Sequence, residues 1–63
     1  MKEYIRIIPI RSEFAVTSVT GSTETVEAQF RGYRDAFAYA HVLADYMQIP
    51  VAPQPEQLRG IVE

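Results

Sequence analysis

The sequence predicts an α+β fold: a three-stranded antiparallel β-meander packed by one amphipathic α-helix, then a proline-rich C-terminal tail. Three observations predict it. Residues 2–31 hold three runs rich in β-formers, parted by short polar turns. Residues 33–48 switch to the 3.6-residue period of a helix. Pro50, Pro53 and Pro55 then interrupt regular structure.

The first run, Lys2 to Ile10, carries Tyr4, Ile5, Ile7, Ile8 and Ile10. Strand alternation puts Ile5 and Ile7 on one side and Tyr4, Arg6 and Ile8 on the other. Pro9 lacks an amide hydrogen and marks an edge position or the end of pairing. Arg11-Ser12-Glu13 is a polar turn. The second run, Phe14 to Val19, sets Phe14 and Val16 against Ala15 and Thr17. Thr20-Gly21-Ser22 supplies a turn glycine. The third run, Thr23 to Arg31, sets Glu24, Val26, Ala28 and Phe30 against Thr23, Thr25, Glu27 and Gln29, which predicts Val26, Ala28 and Phe30 as its buried set. Turns this short join antiparallel neighbours.

Gly32 separates the meander from the helix, Tyr33 to Gln48. Ala36, Phe37, Ala40, Leu43, Ala44 and Met47 fall on one stripe. They are expected to cover Ile5, Ile7, Phe14, Val16, Val26 and Phe30. Asp35 suits the positive end of the helix dipole. Pro50 stops the helix, because the residue before a proline is pushed out of the α region. The domain is therefore expected over 1–49 and the tail over 50–63. Pro55 can open a short helix with Leu58, Ile61 and Val62 as its apolar side, although Gly60 weakens it; a strand over Leu58 to Val62 is the alternative.

Sixty-three residues allow one domain. A chain of this length buries only about 60% of the surface its unfolded form exposes. Small domains therefore often rely on disulfides, a metal or a partner subunit. The absence of cysteine excludes the first, and a single histidine leaves little for the second. A homodimer is the expected solution. The net charge of −2 comes from six basic and eight acidic residues, with no basic stripe of the kind nucleic-acid binders carry. No apolar run approaches the roughly 20 residues of a membrane span. The N-terminal run alternates and contains Glu3 and Arg6, unlike a signal peptide, so a cytoplasmic location is expected.

Catalytic chemistry has few candidates. His41 lies one helical turn before Asp45, a spacing compatible with an acid–base pair. No nucleophile or oxyanion donor accompanies it, so it reads as a boundary histidine, and no enzymatic activity is expected. Glu24 and Glu27, three apart on a strand, are expected on opposite faces. Thr20-Gly21-Ser22-Thr23 lacks the lysine and further glycine of a phosphate loop. Neither a cofactor nor a metal site is expected.

Surfaces are more informative. Tyr39, Val42 and Tyr46, spaced by three and four, form a second helical stripe away from the expected core. Helix backs are ordinarily charged, so this stripe points to a protein partner or to cover by the chain's own tail. The expected interface is Tyr39, Val42, Tyr46, Leu58 and Ile61, and both contacts are compatible with a swapped dimer. The outer sheet face, expected to carry Tyr4, Arg6, Ile8, Thr17, Thr25, Glu27 and Gln29, is the rival surface. Tyr4 and Arg6 are its candidate nucleic-acid contacts, but one arginine is few for phosphate binding.

The strings Tyr4-Ile5-Arg6-Ile7-Ile8-Pro9 and Phe14-Ala15-Val16, followed by Phe30, Arg34-Asp35-Ala36, Ala40 and Leu43-Ala44, resemble a group of small bacterial proteins of unknown function. In that family an aromatic-x-Val strand precedes an Ala-x-x-x-Ala helix. The resemblance covers about residues 3–49. The family commonly closes with a strand and a His-Gly…Asp-Gly signature, where this chain runs Pro-Gln-Pro-Glu-Gln-Leu-Arg-Gly. The resemblance implies the fold and no known activity.

Overall fold

The computed structural model describes residues 2–53. Strands β1 (Glu3–Ile10), β2 (Glu13–Thr20) and β3 (Thr23–Phe30) precede helix α1 (Tyr33–Met47). The sheet order is β1-β2-β3, with both pairs antiparallel. The expected fold is the observed one. Expectations placed on Leu58, Ile61 and the rest of 54–63 lie outside the described residues.

Two-residue connections make the meander tight. Each opens on a left-handed residue, Arg11 at φ 57° and Gly21 at φ 62°. Glycine adopts that conformation freely, whereas Arg11 carries a Cβ penalty. Helix α1 begins at Gly32, which is extended and offers no side-chain cap. It ends at Gln48 in the left-handed conformation, whose N–H reaches the carbonyls of Ala44 and Asp45.

The core lies between the sheet and one helix face. Ile5, Ile7, Val16, Tyr33, Ala36, Ala40 and Ala44 are buried there, with Phe14, Phe30, Tyr39, Leu43, Ile49 and Val51 packed around them. The three alanines, spaced by four, let the helix axis approach the sheet closely. Larger neighbours are displaced to its flanks. Phe37 and Met47, expected in the core stripe, are accordingly 42% and 39% exposed. Tyr33 takes the position expected for Phe37, edge-on to Phe14 at 5.7 Å between ring centroids.

The third strand departs most from expectation. Val16 pairs with Ala28, but Thr17 pairs with Val26, so Glu27 is an extra residue in β3. This β-bulge reverses the alternation. Ala28 and Phe30 face the helix beside Val16 and Phe14, while Val26 lies beside Thr17 on the outer face and is 51% exposed. Thr25, paired with Ser18, moves to the helix side. Glu27 joins it there, accepting a 2.6 Å hydrogen bond from the Ser18 hydroxyl. Glu24 moves to the outer face. The expected outer set is therefore corrected at Thr25 and Glu27.

Beyond the helix the chain returns to the sheet. The Ile5 N–H donates to the Pro50 carbonyl at 2.9 Å, and the Ala52 N–H donates to the Ile5 carbonyl at 2.7 Å. Val51 thus forms a parallel bridge beside β1. The start of the expected proline-rich tail thus lies alongside the sheet, and Val51 packs on the core.

Candidate interaction surface

Three surfaces remain: the outer sheet face, the helix flanks and a cleft beside the first strand. On the outer face, pairing sets three rows of side chains: Tyr4–Val19–Glu24, Arg6–Thr17–Val26, and Ile8–Ala15–Gln29. Ala15 and Thr17 on the central strand are fully buried beneath longer neighbours. Arg6 reaches across β2 to Glu24 on β3. Its Nε and Nη2 donate to the two carboxylate oxygens at 2.7 and 2.8 Å. The Thr17 hydroxyl, lying beneath, donates to Glu24 Oε2 at 2.7 Å. The hydrogen bonds from Arg6 and then Thr17 hold the Glu24 carboxyl at about 2, against partial desolvation. The Arg6 guanidinium is in turn held above its usual range, first by the Glu24 hydrogen bond.

This arrangement bears on Tyr4 and Arg6 as nucleic-acid contacts. Both lie on the outer face, as expected, and are half-buried. The Arg6 charge is already matched by a carboxylate in a bidentate pair, so a phosphate would compete with Glu24 for it.

The helix flank is different. Val42 is 68% exposed and Tyr46 is 84% exposed, one turn apart on the same side. Tyr39, expected alongside them in the open, instead packs its ring on Phe30 at 5.4 Å and is half-buried. It links the exposed strip to β3. The helix leans over β1 and β2 more than over β3, so the helix-facing side of the third strand is thinly covered. Only Ala28 and Phe30 of that strand are even partly buried. Tyr46, Val42, Tyr39, Phe30 and Ala28 supply the apolar part of this border, joined at the Tyr39–Phe30 contact, with Thr25 and Glu27 on the same side of β3. The alternation Val26-Glu27-Ala28 concealed it in the sequence.

The opposite flank carries an aromatic chain from Tyr33 to Phe37 (5.9 Å) to His41 (4.3 Å). His41 is exposed and lies against a ring. Among the described residues the ion pair is Arg6–Glu24, and His41 and Asp45 are not joined by one. Among the described residues no group of three or more His, Cys, Asp or Glu side chains could hold a metal. A shallow open cleft of about 490 Å³ lies beside β1, lined by Lys2, Glu3, Tyr4 and Pro50 to Pro53. Among the described residues, no helix is long and apolar enough to cross a membrane. No family model, curated protein or solved structure matches this chain.

Proposed function

We propose that this chain is a small non-enzymatic protein-interaction module that works as a homodimer. The observation that carries the reading is the Val42–Tyr46 strip beside a thinly covered β3. Two large apolar side chains in water on a helix back, continuous with an uncovered sheet border, form a patch that association would bury. The size of the domain supports the same reading. A 63-residue chain without disulfides gains from a partner what it cannot gain from its own core.

A nucleic-acid accessory role through Tyr4 and Arg6 has less support, because Glu24 already occupies the arginine. Analytical ultracentrifugation tests the main reading. The wild-type chain is expected to sediment as a dimer at micromolar concentration. Tyr46→Glu, at a site that contributes nothing to the core, is expected to shift it to monomer. A wild-type monomer throughout that range would remove the proposal.

A further inference from the structure

Among the described residues β3 is an open edge of the sheet, with a specific geometry. The Ile5 N–H and C=O point away from β2, toward residues 50–52. Ladder alternation then directs Tyr4, Arg6 and Ile8 toward β2, and Phe14, Val16, Ser18 and Thr20 toward β3. Their partners are Phe30, Ala28, Thr25 and Thr23. The backbone groups of Glu24, Val26 and Gln29 consequently face the open edge.

A bulge in an edge strand ordinarily discourages pairing. Here it has another effect on self-pairing. Outer-face side chains before the bulge are Glu24 and Val26, and after it Gln29. An unbulged strand pairs antiparallel with its own copy only when even positions meet even and odd meet odd, because face follows parity. Across this bulge the rule inverts, and an even position must meet an odd one. The register setting Val26 opposite the second copy's Gln29 satisfies the rule along the strand. It also sets Thr25 opposite Phe30, Glu27 opposite Ala28, and Glu24 opposite Arg31. Outer faces meet outer faces, edge-facing amides meet edge-facing amides, each Glu24 comes opposite Arg31, one residue past the end of the other copy's β3, and the two Glu27 carboxylates, each held by its own Ser18 hydroxyl, flank the two-fold axis.

We infer that two copies join through their β3 edges in this register, Val26 opposite Gln29 and Glu24 opposite Arg31, to form a six-stranded antiparallel sheet with both helices on one face. The inference rests on the homodimer reading and names its geometry. The two helices face each other across the thinly covered border, with Tyr39 and Tyr46 of each on the facing side.

Cysteine cross-linking tests the register on an otherwise cysteine-free chain. A disulfide requires Cα atoms about 4.4–6.8 Å apart. In the Val26→Cys, Gln29→Cys double variant the introduced thiols lie opposite each other, and mild oxidation is expected to give a covalent dimer. In Val26→Cys alone the two thiols are offset by three residues, roughly 10 Å, and no dimer is expected. Arg31→Glu, an exposed change outside the core, is expected to weaken the dimer roughly tenfold through two like-charge contacts. A single variant that cross-links as readily as the double one would overturn the register. A wild-type dimer that neither cross-links in the double variant nor responds to Arg31→Glu would overturn edge pairing while leaving self-association standing. A wild-type monomer would remove both.

Discussion

Thr17, fully buried on the central strand, donates its hydroxyl to the Glu24 carboxylate at 2.7 Å. The hydroxyl of a buried threonine needs a partner, and the Arg6 carbonyl at 3.5 Å is too distant to serve. Glu24 therefore satisfies Thr17 from above while Arg6 neutralises Glu24. Thr17→Val keeps the shape and removes the donor. It is expected to cost about 1 kcal/mol in urea denaturation.

The same carboxylate sets an acid limb. Its folded value of about 2 lies below its ordinary 4.5. A depressed carboxyl contributes stability that is fully present above the unfolded value and is lost as pH falls from about 4.5 toward 2. The Arg6 and Glu24 side chains are 43% and 33% exposed, so solvent screening reduces the contribution to about 1 kcal/mol. Urea midpoints measured from pH 6 to pH 2 are expected to fall less in Glu24→Gln than in wild type.

The bulge makes neighbouring apolar residues unequal. Val26→Thr, on the open face, is expected to change stability by less than about 0.5 kcal/mol. Phe30→Ala removes a ring packed on Tyr39 and is expected to cost about 2 kcal/mol or more. Measured in a concentration range where the chain is monomeric, equal costs would mean that β3 has no bulge.

Alternation made the first two strands legible. Ile5 and Ile7 face inward, and Arg6 and Thr17 outward, as spacing requires. The third strand was not legible because a bulge adds one residue without changing composition. The run Glu24, Val26, Ala28, Phe30 is a flawless period of two. Its discordant member was Glu24, a charge at the head of an apolar set, and that was the signal for a reversal. On the helix, Ala36, Ala40 and Ala44 were readable as core. Which large residues flank them depends on how closely an alanine ridge approaches the sheet, so Tyr33 and Tyr39 turned inward and Phe37 turned out. Of the candidate site, Val42 and Tyr46 were readable from helical spacing alone. The pairing of Val51 with Ile5 joins residues far apart in the chain and left no local mark.

That close approach gives a further expectation. Ala40 is fully buried at the centre of the ridge. Ala40→Leu has no room for its added carbons and is expected to cost about 1–3 kcal/mol in thermal or urea unfolding. Ala38→Leu, on the exposed face, is expected to be nearly neutral.

The start of the helix can be improved. Gly32 already has the extended backbone of a capping residue, and an added Cβ would meet nothing nearer than the Asp35 carboxylate at 3.7 Å. Gly32→Ser supplies a hydroxyl to the first-turn amides and removes freedom from the unfolded chain. It is expected to add about 0.5–1 kcal/mol, read as a higher melting temperature.

The parallel bridge at Val51 makes the two edges of this sheet unequal. Two free edges would let copies add at both ends, as in a fibre. Here the chain's own return, Pro50 to Ala52, lies along β1 at Ile5, leaving β3 as the edge without any bridge among the described residues. In the dimer proposed above, the two β3 edges are used up in each other. Raising the concentration would then favour a closed pair over open-ended addition, because only the partly covered β1 edges remain.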